Sequence, residues 1–496
     1  MKYLISGKEM KNWEKKAMEK YKVPSLLLME RAAEAVVKEI LSGSYHLDKI
    51  LIACGTGNNG GDGLAIARML KMNNYQVDVC VVGSLDKMSA EAKIQLEMYQ
   101  AISGNFVTAP VYDEYTMIVD AIFGIGCNRE ITGIAAEVIE AINKNNGDII
   151  AVDVPSGVSS DTGKICGVAV KAEKTVTFFA EKFGMMVYPG REFCGKVLVA
   201  DLGIPFQDWE ECQAVTYCDE DIEKLPKRRG DSHKGTYGKV LVIAGSEKIS
   251  GAAYLAAAGA YRIGAGLVKV YTPKENKIAM QVLLPEALLE TYDDNRPPVK
   301  QLKECMEWAD VIVIGPGIGT ERTAEKILKY VVSKSSVPVV IDADGINILA
   351  KNKTYLMEKH APIVLTPHIQ EMARLIGESK DKILKNQMEE AELFVKNYEA
   401  TLVLKSATTV VAKKDEYSYI NMSGNSGMAT GGSGDVLAGM IGGLIAQGMD
   451  SYEAAKLGVY LHGLAGDKAA SQKGKYSLMA EDIIEGIIDV VRTVVV

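Results

Sequence analysis

The sequence carries no excess of positive charge, no paired-cysteine spacing and no long apolar run. Its 56 Lys and Arg face 64 Asp and Glu, a net charge of −8. A nucleic-acid partner, gripped through clustered Lys and Arg, is therefore not expected. The one basic cluster, Lys227–Arg229 in LPKRRG, sits in polar surroundings and reads as a solvated linker. The eight cysteines contain no CxxC pair and no metal-ligand spacing. Cys54 and Cys80 lie in strand-like apolar runs, where a free thiol behaves as a small buried hydrophobe, and a reducing compartment is expected. No stretch approaches the roughly 20 apolar residues that span a bilayer. The N-terminal KEMKNWEKKAMEK is charged and lacks the apolar core of a signal peptide. The expectation is a cytoplasmic protein with no membrane partner, in which the NMS sequon at Asn421 is incidental.

What is present is a long chain in which strands and helices alternate. At 496 residues it should divide into two or more domains. The runs KILIAC, QVDVCVV, MIVDAIF, DIIAVDV, TVTFFA and KVLVADL read as buried parallel strands. Helix patterns lie between the earlier ones, and two more helices, around Met10–Tyr21 and Leu26–Leu41, come before them. This is a doubly wound α/β layout, whose ligands belong at the carboxyl ends of the strands. The alternation stops in the charged DEDIEKLPKRRGD (219–231) and restarts with GKVLVIAGS. Further strands are expected at LVKVY, DVIVIGPG, VPVVIDAD, PIVLTPH and TLVLKS, then a hairpin-like pair, TTVVAKK and YSYINM, then a glycine-rich helix from about Gly434. The expected domains are 1–218 and 225–496, both α/β.

In the first half GTGNNGGDG, Gly55 to Gly63, follows the apolar run Ile50–Ala53 and precedes a helix expected from Leu64. Its first six residues match GxGxxG, the dinucleotide-binding fingerprint. Asp62 argues against that reading, because a carboxylate in a phosphate nest repels the ligand by about a kcal/mol or more. The second strand also ends in Gly83 and Ser84 without a ribose-binding acid. Asn58, Asn59 and Asp62 instead suit a carboxamide, sugar hydroxyls or a hard monovalent cation; a plain Asn/Gly turn is the blander alternative. Asp120 in IVDAIFGIGCNREITG, and Asp153 and Ser156 in AVDVPSGVSSDTG, occupy two further strand ends. Three polar loops at the carboxyl end of one sheet should converge on one crevice.

GTGNNGGDGL, VDAIFGIG and VDVPSG, in that order, resemble the NAD(P)H-hydrate epimerase domain over roughly residues 1–215. The resemblance implies a Rossmann-like α/β/α sandwich. It implies that the damaged nicotinamide is held by Asn58, Asn59, Gly60, Gly61 and Asp62 and by Gly124, Ile125, Gly126, Cys127, Asn128, Arg129 and Glu130. It further implies a potassium ion on Asn59, Asp120 and Ser156, with Asp153 as a substrate-contacting acid/base. Oxygen-only ligands fit a hard cation.

In the second half Gly431, Gly432, Ser433 and Gly434 precede Asp435, which opens an apolar helix. Backbone N–H groups of such a loop form an anion hole at the helix's positive end, and Asp435 is placed to take a proton from a hydroxyl. A helix cap would explain the Asp alone. The pattern resembles the ribokinase-like superfamily. HKGTYGKVLVIAGS, IGPGIG, IDADGINIL, LTPHIQEMARL and TGGSGDVLAGMI resemble the ADP-dependent NAD(P)H-hydrate dehydratases within it, over roughly 225–496. That resemblance implies ADP, with Mg2+, on Lys405, Ser406, Ala407, Thr408 and Thr409 and on Asn425, Ser426, Gly427, Met428, Ala429, Thr430, Gly431, Gly432, Ser433 and Gly434. It places the hydrate on Gly317 and on His368, Ile369, Gln370, Glu371, Met372, Ala373 and Arg374, with Asp435 as catalytic acid/base. The implied function is repair of both NADHX and NADPHX epimers to NAD(P)H, with ADP converted to AMP and phosphate. A small-molecule kinase and a non-catalytic first half are the competing readings, and Gly/Ala-rich helices are compatible with a homo-oligomer.

Overall fold

The computed structural model describes residues 1–204, 212, 214–293 and 299–492. The chain divides into two compact units, Tyr3–Ala214 and Val215–Val496, with Met1–Lys2 counted in the second. The charged 219–231 segment therefore belongs to the second unit. Arg228 is not simply solvated: it donates to the Gly264 carbonyl at 2.8 Å and its guanidinium lies 4.3 Å from the Tyr237 ring centre.

In the first unit seven strands form one sheet in the order Asn105–Phe106, Val77–Val81, Ile50–Cys54, Met117–Ala121, Asp148–Val152, Lys174–Phe178 and Lys196–Ala200. Every pairing is parallel. Alternate side chains serve the two faces, as strand geometry requires. Ile50, Ile52 and Cys54 pack under the helices Ser25–Ser42, Asn58–Met72 and Ala90–Ala101. Leu51 and Ala53 pack with Ile139 and Ile142 of the helix Ile134–Ile142 on the opposite face. Lys196–Ala200 departs from expectation. It is an edge strand with Leu198 and Val199 exposed rather than a buried one. The strand order reverses between Ile50–Cys54 and Met117–Ala121, so the crevice of a doubly wound sheet opens there.

The helix expected from Leu64 starts at Asn58, so the Asn/Gly/Asp motif is its first turn. Glycine makes this possible by packing rather than by flexibility. A Cβ at Gly55 would fall 1.9 Å from the Ile122 carbonyl oxygen, and one at Gly60 would fall 2.0 Å from that of Gly55.

The second unit is built on an 11-stranded sheet. Its parallel run is Thr401–Leu404, Ile363–Leu365, Val339–Ile341, Val311–Ile314, Lys239–Ile243, Leu267–Pro273 and Leu288–Tyr292. Val410–Ala412 and Tyr419–Ile420 join antiparallel, as the hairpin pattern indicates. The helices Gly251–Arg262 and Ser433–Ala446 pack backbone to backbone. A Cβ at Gly439 would lie 1.9 Å from the Ala256 carbonyl oxygen, and one at Gly259 2.6 Å from that of Val436. Among the described residues no helix is long and apolar enough to cross a membrane, and all eight cysteines are free.

Candidate active sites

The crevice of the first unit is a cavity of about 580 Å³. Asn58, Asn59 and Asp62 line it from the helix start, Gly124, Ile125, Gly126 and Cys127 from the second loop, and Asp153 from the third. The three loops do converge. Asn128, Arg129 and Glu130 are exposed and lie outside the lining, while Gly60 and Gly61 are buried in the helix.

Asp153 sits in left-handed backbone, φ 68°, just past the strand Asp148–Val152. Its Oδ1 accepts from Lys182 Nζ at 2.6 Å and from Thr177 Oγ1 at 3.0 Å. Lys182 is 1% exposed and also donates to Thr177 Oγ1 and the Phe178 carbonyl. A buried ammonium satisfied on three sides is a fixed counterion. Both bonds to Asp153 go to Oδ1, which leaves Oδ2 for a ligand. Asp62 is held well above the usual carboxyl range by burial, then by the Asp153 and Glu14 charges.

Beneath the loops Asp120 is buried and accepts from Ser156 N–H at 2.8 Å, Ser156 Oγ at 2.5 Å and Ile122 N–H at 3.2 Å. Burial raises its pKa to about 6, against those bonds. Asn59 Nδ2 donates to the Val152 carbonyl at 2.8 Å. Its Oδ1 is buried with no hydrogen-bond partner, and a buried carbonyl oxygen without a donor is a position for a cation.

In the second unit the polar residues again follow parallel strands. Asp342 follows Val339–Ile341, His368 follows Ile363–Leu365 and Lys405 follows Thr401–Leu404. Lys405 Nζ lies 2.7 Å from Asp342 Oδ1. Burial lowers the Lys405 pKa, but Asp342, Glu371 and Asp435 more than offset it, and the net shift is upward. The pair abuts the glycine loop. A Cβ at Gly434 would lie 3.0 Å from Lys405 Nζ and 3.6 Å from Asp342 Oδ2. Asp435 stands in the first turn of Ser433–Ala446. Burial first, then Asp342, raises its pKa to about 7. Glu371 is raised to about 7, mainly by burial.

His368 caps the helix Ile369–Ile376, its Nδ1 accepting from the N–H groups of Gln370 and Glu371. Burial, then Lys405, lowers its pKa. Ile369, Met372 and Ala373 are buried in that helix, so Gln370 and Arg374 remain to meet a ligand. Ser406 Oγ closes the 405–409 turn by donating to the Thr408 carbonyl at 2.7 Å. Gly317 adopts φ 63° against Ala252 and Ile249.

One further acid holds the loop that precedes Ser433–Ala446. Asp467, in the helix Ser451–Lys473, accepts from the Gly424 N–H and from Asn425 Nδ2, both at 2.8 Å. Five residues earlier His462 Nε2 meets the Ser433 carbonyl at 3.0 Å. The sequence motifs single out neither of these, nor Lys182, Thr177 or Asp342. Each acts through a partner more than 20 positions away, although Asp342 stands inside IDADGINIL.

The chain is 39% identical to the bifunctional NAD(P)H-hydrate repair enzyme of Moorella thermoacetica over 99% of its own length and 97% of that protein's. It belongs to the NAD(P)H-hydrate repair enzymes. The counterpart in Escherichia coli is 34% identical over 92% of this chain and 87% of that one. The NAD(P)H-hydrate dehydratase model matches residues 240–489, and the YjeF-related N-terminal model matches 25–184. The crystallised ADP/ATP-dependent NAD(P)H-hydrate dehydratase of Bacillus subtilis superposes with a TM-score of 0.51 at 30% identity, covering 57% of this chain and 99% of that one. That enzyme was crystallised with ATP and Mg2+. In this family member the two matched stretches fall within the two units, one site in each.

Proposed function

We propose that the first unit interconverts the R and S epimers of NAD(P)H hydrate, and that the second dehydrates the S epimer at the expense of ADP. The observation that carries this reading is Asp435, a half-buried carboxyl with its pKa raised to about 7, in the first turn of a helix that follows Gly431 and Gly432. Hydration of a dihydronicotinamide leaves a hydroxyl on the carbon beside the ring nitrogen, and hydroxide leaves poorly. Asp435 takes the hydroxyl proton as that oxygen attacks the terminal phosphorus of ADP, with AMP as leaving group. The N–H groups of Gly431–Gly434 hold the charge that develops on phosphate oxygens, and Lys405, braced by Asp342, adds a cation beside them. The nitrogen lone pair then expels phosphate, and loss of the neighbouring C–H proton restores the ring double bond. Mg2+ bound with the nucleotide would offset the charge of its phosphates.

In the first unit Asn59, Asp120 and Ser156 would hold a potassium ion, to which the unpartnered Asn59 Oδ1 is suited. An ion held there would supply fixed positive charge beside the crevice. Asp153, countered by Lys182, exchanges protons with the oxygen of the epimerising centre.

Pure protein mixed with hydrated NADH, ADP and Mg2+ should regenerate the dihydronicotinamide absorbance with release of phosphate and AMP. A stable phosphorylated product without that absorbance would instead identify a kinase.

A further inference from the structure

We infer that Glu14 is a second catalytic residue of the first site, the acid that protonates the departing hydroxyl on the ring face opposite Asp153. The inference rests on the epimerase reading. Its ground is where the carboxyls come from. Three line the cavity. Asp62, at the start of the helix Asn58–Met72, and Asp153, just past the strand Asp148–Val152, both stand at the carboxyl ends of sheet strands, whereas Glu14 comes from the helix Gly7–Tyr21, which precedes the sheet. On that helix Lys11, Glu14 and Met18 recur at intervals of three and four and share one face, and all three line the cavity.

The helix is held firmly enough to present a catalytic group. Ser6 and Glu9 form a capping box at its start, and the Gly7 N–H donates to Asp161 Oδ1 at 2.6 Å. Trp13, beside Glu14, meets Phe179 edge-on with ring centres 4.6 Å apart. Met10, Trp13 and Ala17 are buried with Ile5, Ala180 and Ile204. This tethers Glu14 to the segment that also carries Lys182.

The chemistry calls for such a residue. The two epimers present their hydroxyls on opposite ring faces, and one carboxylate cannot serve both unless the ring turns over. Protonated Glu14 gives its proton to the hydroxyl oxygen as the carbon–oxygen bond breaks, and water leaves. The ring-nitrogen lone pair forms the iminium. Water then adds to the same carbon from the other face and yields a proton to the Asp153 carboxylate. The reverse reaction uses the same two groups in exchanged roles. The environment supplies the acid: burial, then the Asp153 charge, raises the Glu14 pKa to about 7, while Lys182 and Lys11 pull the other way. Asp62 and the Cys127 thiol, both raised by burial, are the other titratable groups lining the cavity.

The test measures R-to-S conversion by the full-length parent, Glu14→Gln and Glu14→Asp, with kcat and KM across the pH range that brackets the Glu14 titration. The parent's kcat should fall as pH rises through about 7, where Glu14 loses its proton. Glu14→Gln should lose roughly 10²–10⁴-fold in kcat with KM little changed, and with that basic limb gone. Glu14→Asp should recover part of the rate and the limb, which a packing role would not produce. If Glu14→Gln is as fast as the parent, or keeps the same basic limb, the assignment is overturned. A parent that fails to interconvert the epimers overturns the epimerase reading, and this inference with it.

Discussion

At Asp435 the proposed role as base and the stability of the fold pull in opposite directions. Its carboxyl titrates near 7 in the folded chain against an ordinary 3.8. Between those values the folded state binds more protons than the unfolded state, so this group's contribution to stability falls as pH rises through that window. Asp435→Asn should therefore raise the thermal midpoint at mildly alkaline pH and change it little near pH 4. A shift independent of pH would contradict the burden assigned to the carboxylate. The same substitution should lower dehydration roughly 10²–10⁴-fold and leave epimerisation intact. In the parent, dehydration should rise with pH through about 7, as the base ionises. The Asn59 and Asp120 assignment is open to titration. Asn59→Ala and Asp120→Ala should each raise the potassium concentration needed for epimerisation, and unchanged potassium curves would reduce them to turn formers.

At the scale of elements, the helix Ser451–Lys473 acts as a brace for the loop proposed to hold the nucleotide. Asp467 fixes the loop at Gly424 and Asn425, and His462 meets its far end at Ser433. Asp467→Ala strands two donors, at a cost of about 1–3 kcal/mol for a buried one. ADP affinity by titration calorimetry should fall about tenfold or more, with epimerisation untouched. This brace shows where reading the sequence stops. The strands were legible from their β-branched runs, and the site loops from polar groups beside glycines at strand ends. The start of the helix at Asn58 was hidden, because a sequence with three glycines in six residues, Gly60, Gly61 and Gly63, has poor intrinsic helicity, and only tertiary contact makes it helical. Lys182 in AEKFG and Glu14 in NWEKK carry no local sign of their roles. Burial and a distant partner create those roles, and spacing along the chain records neither.

Across the whole molecule, two chemically successive sites stand on different sheets of one chain, so one can be silenced without the other. Asp153→Ala should leave dehydration of pure S hydrate at the parent rate. Given mixed epimers it should consume the S fraction quickly and then lag at the spontaneous rate of epimerisation. Prompt loss of the R fraction would remove Asp153 from the reaction. The seam between Gly251–Arg262 and Ser433–Ala446, where Gly259 and Gly439 admit no side chain, has a consequence for descent. Drift along the helix that carries Asp435 is blocked at the seam, since any larger residue there separates the two backbones. A lineage that shifts toward another substrate must therefore acquire its changes in the strand-end loops, and laboratory selection for altered specificity should find its winners there, with the two seam glycines intact.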